Sequence, residues 1–318
     1  MKGSRLTAAR IVSAVIFIGL ALVPLYAAIF DAPYYVSLFS RIVIFAIAAL
    51  SLVPLLSYGG MVSFGHALYL GVGAYAVGVL AHHGVHSGWV HLAAALASAA
   101  LIALLTGAFC LRTTGLGFLM ITFAFGQMFY FLMVSLKYYG GDEGLPISAR
   151  SDFSPLFSLD SGVTLYYVGF VFLAACLYVL HRLVHSPFGM VIRGCKSNER
   201  RVKALGIPSF RYKLTAYVLC CMMCSVSGVL LANLTRFASP EYMSWIRSGD
   251  LIAMVVLGGM NSLMGGVVGA VVLMLLEEIL SSWTQHWMVI LGPLILLMVL
   301  GAKQGIYGQL VAREARPT

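Results

Sequence analysis

Hydrophobic positions along this chain fall into long runs, not into the alternating or amphipathic patterns of a water-soluble core. Apolar segments cover roughly residues 11–30, 35–56, 61–81, 89–110, 115–136, 162–184, 214–235 and 286–302. Each approaches the roughly 20 residues that an α-helix needs to cross about 30 Å of hydrocarbon. A further apolar stretch, 250–282, is too long for one ordinary span. It is interrupted at Gly258-Gly259-Met260-Asn261-Ser262 and again at Gly265-Gly266, so the pattern divides it into two short or broken helices. The reading is an all-α, polytopic transmembrane helical bundle of about ten membrane segments, forming a single transmembrane domain over 1–318.

Charge sets the orientation. With the N-terminus inside and the segments alternating, the inner side holds Lys2, Arg5, Arg10, Arg112, the basic residues of 182–213, and Lys303, Arg313 and Arg316. That is 15 of the 20 Lys and Arg, leaving Arg41, Lys137, Arg150, Arg236 and Arg247 outside. Basic residues concentrate on the cytoplasmic side of membrane proteins, so both termini are expected in the cytoplasm. Reading 250–282 as one span would put the basic tail outside. The apolar run 11–30 follows Lys2, Arg5 and Arg10 and is longer than a secretory h-region, so it is expected to be the first span.

Composition agrees: 61% of residues are hydrophobic and 10% charged, with a mean hydropathy of +0.95. A soluble domain carries about a quarter charged residues. The net charge of +9 is therefore a matter of orientation and of contact with membrane lipid, and nucleic acid is not expected as a partner. All six cysteines but Cys195 lie in apolar stretches, and Cys221 and Cys224 form a CxxC on one of them. Buried thiols packing as small hydrophobes are expected, with no disulfide framework.

Two loops interrupt the apolar pattern. An outer loop, 137–161, contains Gly140-Gly141-Asp142-Glu143-Gly144-Leu145-Pro146, which is turn chemistry. The inner loop, 185–213, carries Arg193, Lys196, Arg200, Arg201, Lys203, Arg211 and Lys213 against the lone acid Glu199. Ser186-Pro187 starts a helix, Ser197-Asn198 starts a second, and Gly206 with Pro208 stops it. Val202 and Leu205 fall on one face at i, i+3. Such a knob suits either anionic lipid or the grip of a cytosolic partner.

These residues carry a resemblance. The run "SPFGMVIRGCKSNERRVKALGI" (186–207), followed by "RYKLTAYVL", resembles the permease subunits of branched-chain amino acid ABC importers of the LivM type. So do "SYGGMVSFGHALYLGVGAYAVGVL" (57–80), "GDEGLP" (141–146), "SPEYMSWIRSGDLIAMVVLGGMNSLMGGVVGAVVLMLLEEIL" (239–280) and "LILLMVLGAKQGIYG" (294–308). Gly194-Cys195, Val202-Lys203 and Ala302-Lys303-Gln304-Gly305 depart from the family's usual residues. The resemblance implies a subunit of a bacterial inner-membrane ABC importer that translocates branched-chain or related hydrophobic amino acids by alternating access. Relatives in the same subfamily carry urea or short amides. It also implies a second related permease, two cytosolic ATPases that use ATP and Mg, and a periplasmic substrate-binding protein. The chain itself would bind no cofactor. Asn198, Glu199, Ala204, Leu205 and Gly206 match the family's coupling loop, which docks on an ATPase.

A zwitterion inside the membrane needs partners, yet the middles of the spans hold essentially no Asp, Glu, Lys or Arg. Half-helix ends offer backbone dipoles instead. The candidate pathway breaks are Gly59-Gly60, Gly115-Leu116-Gly117 and Gly258-Gly259, with Ser63, Thr122 and Asn261 as uncharged hydrogen-bonding groups nearby. Gly258, Ser262, Gly266 and Ala270, with Gly265 and Gly269, form a small-residue strip suited to close helix contact, within this chain or with a partner permease.

Enzyme chemistry finds little support. There is no GxxxxGK[ST] and no HExxH. Ser63 and His66 stand three apart, but a third orienting group is missing, and hydroxyl–imidazole packing explains them. His82, His83, His86 and His91 cluster in an outer loop, where Gly84 interrupts the helix that would align them. Asp142-Glu143 and Glu277-Glu278 read as solvated pairs near the outer surface. A standalone ten-helix secondary transporter would show two similar halves and short loops, which this sequence lacks.

Overall fold

The computed structural model describes residues 8–29, 33–153, 157–159, 161–260, 262–301 and 305–309. Eleven α-helices run through them: α1 (Ala8–Ile29), α2 (Pro33–Val53), α3 (Ala67–His82), α4 (Gly88–Cys110), α5 (Leu116–Ser135), α6 (Gly162–Val184), α7 (Pro187–Ala204), α8 (Ser209–Thr235), α9 (Trp245–Gly258), α10 (Leu263–Trp283) and α11 (Trp287–Gly301). Six apolar stretches among the described residues are long enough to cross a membrane: α4, α5, α6, α8, α10, and α2 extended by the π-helical turn Pro54–Tyr58. Shorter apolar helices lie in α1, α3 and α11. Four two-residue strands, β1 (Leu145–Pro146), β2 (Asp152–Phe153), β3 (Phe157–Ser158) and β4 (Phe237–Ala238), tie the loops at one end. The β1–β4 pair is antiparallel and joins the 137–161 loop to the chain just after α8.

α2 and α8 form the centre. Ile42 to Val53 of α2 is buried without a break, as are Ser225 to Asn233 of α8. Burial on all sides explains why these helices are apolar or small-residue around their whole circumference. α3 packs so closely on α8 that a Cβ on Gly73 would stand 2.0 Å from the Ser225 carbonyl oxygen.

Two segments depart from the sequence pattern. The apolar run 61–81 does not form one helix, because α3 begins only at Ala67. Residues 59–66 are not helical: Gly60 has φ +65°, and Gly65 lies so close to α5 that a Cβ would meet the Thr122 carbonyl oxygen at 2.3 Å. α3 therefore starts inside the bundle. The His66 carbonyl accepts from Cys224 Sγ at 3.6 Å, and Cys224 lies near the middle of the 27-residue α8. Non-helical backbone is tolerated at such depth where protein surrounds it.

The 250–282 stretch does split at the glycine pair, since α9 ends at Gly258 and α10 begins at Leu263. α9 starts at Trp245, five residues before the apolar run, with Ser244 capping the Arg247 amide. Gly258, Gly265 and Gly269 bring the two helices into backbone contact: a Cβ on Gly269 would be 1.7 Å from the Met254 carbonyl oxygen. Gly266 faces Leu50 and Val53 of α2. The small-residue strip is thus a contact within the chain.

The charge pattern puts Arg41 and Arg247 on the outer side. Arg41 follows Pro33, the start of α2, by eight residues, about 12 Å along the helix axis. Arg247 lies in the first turn of α9. Hydropathy averages a single arginine away within an apolar window.

Candidate functional site

The basic loop folds as a helix broken in its middle. Ser186 occupies the N-cap position, but its hydroxyl donates back to the Leu183 carbonyl at 2.6 Å instead of capping α7. Pro187 opens the helix and needs no amide partner. At Asn198 the backbone swings to φ −159°, ψ 96°, and Asn198 Oδ1 accepts from the Arg201 amide at 3.0 Å. That is an N-cap, and it starts the second half of α7. Gly206, at φ +79°, turns the chain into α8.

Glu199, in the first turn after the break, is the electrostatic centre of this knob. One carboxylate oxygen pairs with Lys203 at 3.0 Å and accepts from Ser209 at 3.1 Å, while the other accepts from Lys213 of α8. Burial pushes this carboxyl upward, but the bonds from Lys213, Lys203 and Ser209 outweigh it and hold it down at about 2. Val202 is buried and lies 3.2 Å from where a Cβ on Gly194 would stand, whereas Leu205 is 73% exposed. The two do not share one buried face: Val202 closes the knob on itself and Leu205 points away from it. Met190, on the first half of α7, is also exposed.

Lys196 joins the knob to the membrane part. Its Nζ donates to the Ser57 carbonyl at 2.7 Å, and its methylenes lie over Gly60, 3.0 Å from a Cβ built there. Arg193 Nη2 donates to the Val184 carbonyl at the end of α6 at 2.9 Å. Lys196 also borders a cavity of about 400 Å³, lined by Gly59, Gly60 and Met61, by Thr113 and Gly115 between α4 and α5, and by Glu199 and Lys213. Gly59, Gly60 and Gly115 therefore lie beside the basic loop. Ala204 ends α7.

Ser63 and His66 lie on the segment before α3, and Thr122 on the part of α5 packed against it. Thr122 Oγ1 accepts from the Phe64 amide at 3.2 Å and donates to the Leu119 carbonyl at 2.9 Å. His66 Nε2 pairs with Ser51 of α2 at 2.8 Å, so its hydroxyl partner is Ser51 and not Ser63. Ser63 Oγ and His66 Nδ1 are buried with no hydrogen-bond partner. The first amide of α3, Ala67, donates to Ser248 Oγ of α9 at 3.1 Å. Ser51, Ser248 and Lys196 had no motif to mark them, because each acts through a neighbour distant in sequence.

Gly258 and Gly259 are both closely packed. Gly259, at φ +118°, ends α9, and Gly305 approaches it so closely that a Cβ there would lie 2.3 Å from the Gly259 Cα. Asn261 lies outside the described residues. The six cysteines are buried and free. Of the outer histidines, His91 is held between Ser151 and the Val85 carbonyl at 2.7 and 2.8 Å, and His83 pairs with Tyr139 at 3.2 Å.

Comparison with known proteins places this geometry. The family described as branched-chain amino acid transport system / permease component matches residues 34–300. The high-affinity branched-chain amino acid transport system permease protein LivM of Escherichia coli K12 is 28% identical over 286 residues, covering 83% of this chain and 67% of its own. LivH of the same organism is 24% identical over 271 residues, covering 79% and 86%. The ribose import permease protein RbsC of Escherichia coli K12 is 33% identical over 143 residues, covering 42% and 43%. No solved structure matches the chain.

Proposed function

The chain belongs to the branched-chain amino acid transport system permease family, and from that premise we propose that it is the membrane-spanning permease of an ATP-driven importer in the bacterial inner membrane. It translocates branched-chain or related hydrophobic amino acids by alternating access. Its partners are a second related permease, two cytosolic ABC ATPases that bind ATP and Mg, and a periplasmic substrate-binding protein.

The observation that carries the coupling role is the construction of α7. Its two halves meet at Asn198, its second half is locked to α8 through Glu199, and its first half grips the Ser57 carbonyl through Lys196. Met190 and Leu205 remain exposed on the same element, offering apolar contacts to a cytosolic groove. A knob so anchored can pass a push from an ATPase to the end of α2 and to the break before α3. Asn198, Glu199, Ala204, Leu205 and Gly206 are the coupling residues in this account. Gly59, Gly60 and Gly115 line the inner mouth of the pathway, with Ser63 and Thr122 above them.

The test is reconstitution of the chain with its second permease, ATPases and binding protein in proteoliposomes. ATP-dependent uptake of leucine, isoleucine or valine is expected, and loss of both assembly and uptake when Glu199→Lys is combined with deletion of 200–205. Uptake that persists in that variant, or that proceeds without ATPases, refutes the proposal.

A further inference from the structure

Away from the basic loop, a second cavity of about 370 Å³ opens between α2, α8 and the start of α9. It is lined by Ser37, Arg41 and Phe45, by Leu231 and Leu234, and by Tyr242, Thr235 and Arg247. Ser37 is exposed at its mouth, and the cavity lies at the end of the bundle where α2 begins and α8 ends. Ionisable side chains within apolar spans are costly to keep and mark solute paths, so two arginines lining one cavity call for a ligand or a counter-charge.

The two are not equivalent. Arg247 is already answered, by Glu241 at 2.9 Å and Asp250 at 3.5 Å. Arg41 makes no hydrogen bond or ion pair within 4 Å among the described residues. Its charge is felt only at longer range by Glu277, which also senses Arg247 and Asp250, and by the Tyr34–Glu278 pair. The cavity thus combines an uncommitted guanidinium, the hydroxyl groups of Ser37, Thr235 and Tyr242, and an apolar floor of Phe45, Leu231 and Leu234. A guanidinium pairs with a carboxylate through parallel hydrogen bonds, the hydroxyl oxygens can accept from an ammonium, and the floor suits an aliphatic side chain.

We propose that this cavity is an outward-facing receiving site for a hydrophobic amino-acid zwitterion, with Arg41 as the group that holds its carboxylate. The inference rests on the amino-acid reading above and adds a site to it. Arg247, already paired with Glu241 and Asp250, leaves Arg41 as the unanswered charge of the cavity.

The experiment uses the complete complex in proteoliposomes. Arg41→Cys is expected to lower uptake about tenfold or more, the usual scale for losing a charge-assisted pair. Treatment with the cationic reagent 2-aminoethyl methanethiosulfonate should restore much of it, and the neutral methyl methanethiosulfonate should not. The native cysteines are buried, and the wild-type complex carried through the same treatments corrects for any reaction at them. Arg41→Lys should keep a substantial part of the uptake. The proposal is overturned if Arg41→Gln transports at the wild-type rate, if the neutral reagent rescues as well as the cationic one, or if no cation rescues. It is also overturned if Arg41→Lys fails to assemble, which would make the charge a fold-holding one. An Arg41→Cys variant whose new thiol labels in the isolated chain but not in the assembled complex would likewise overturn it, by showing the cavity covered by the second permease. A wild-type complex that takes up no hydrophobic amino acid would instead refute the functional reading itself.

Discussion

Replacing Glu199 by Gln removes one negative charge while keeping the side chain's length and its ability to accept from Ser209. The native carboxyl sits at about 2 against an ordinary 4.5, which corresponds to at most about 3 kcal/mol of preference for the charged form. Glu199 is 26% exposed and Lys203 61%, whereas Lys213 is only 10% exposed. The Lys203 pair is therefore screened and worth a few tenths of a kcal/mol, and the Lys213 pair dominates. Allowing for solvent, the lock between α7 and α8 should weaken by about 2 kcal/mol, or roughly thirtyfold in the population of the released knob. In the isolated chain, trypsin cleavage after Arg200, Arg201 and Lys203 should accelerate by a comparable factor, and in the complex less solute should be moved per ATP. Because the folded carboxyl is depressed, its contribution is complete above about pH 4.5 and disappears as the pH falls toward about 2. Protection of the knob should therefore stay flat from pH 8 to 5.5 and fall only in acid, as read by hydrogen exchange corrected for intrinsic rates. Cleavage and transport stoichiometry both unchanged in Glu199→Gln would refute the reasoning.

Other substitutions probe the remaining contacts. Gly269→Ala places a methyl 1.7 Å from the Met254 carbonyl oxygen and should cost about 3 kcal/mol, seen as a lower unfolding temperature in detergent, while Gly292→Ala, inside α11 with nothing within 4 Å, should not lower it. Ser51→Ala removes the partner of His66 Nε2 at 2.8 Å and should destabilise by about 1–3 kcal/mol, the cost of a buried orphaned nitrogen, on the same thermal scale; an unaltered transition would show that the pair contributes nothing. Leu205→Asp should leave the isolated chain as stable as wild type, since the side chain is 73% exposed, yet reduce recovery of the ATPases in pull-downs about tenfold; equal recovery would remove Leu205 from the docking face.

Hydropathy made the membrane helices legible because it adds up over a turn-independent window. The limits of α6 follow its apolar run to the residue, and the Gly258-Gly259 pair announces the α9–α10 turn. The same averaging hid what mattered at the sites. Met61, Val62 and Phe64 are apolar and read as a span, although Gly59, Gly60 and Gly65 hold them in non-helical backbone packed on α5. Arg247 kept the apolar run from being read before residue 250 and concealed the first turn of α9, where it pairs with Asp250. Gly59, Gly60 and Gly115 were recognisable as breaks, but their meeting with Lys196 and Glu199 around one cavity depends on how α4, α5 and α7 pack, which no local pattern encodes.

That packing bears on how a push at α7 could reach the solute path. Helices packed through glycines, as α9 is on α10 and α3 on α8, move as blocks, because close-packed surfaces do not deform continuously. The non-helical segment 59–66 is different: its amides include single bonds from Met61 to Leu55 and from Phe64 to Thr122, at 2.9 and 3.2 Å. Its lower end carries Lys196 on Gly60, and its upper end carries His66 on Ser51 and Ala67 on Ser248. A displacement of α7 delivered through Lys196 therefore meets a strap before it meets a wall. The strap ends on Ser51 of α2 and Ser248 of α9, the two helices that also supply Arg41 and Arg247 to the outer cavity. Under the proposed function, the inner knob and the outer cavity are coupled through those two helices, and their coupling requires no charged residue in between.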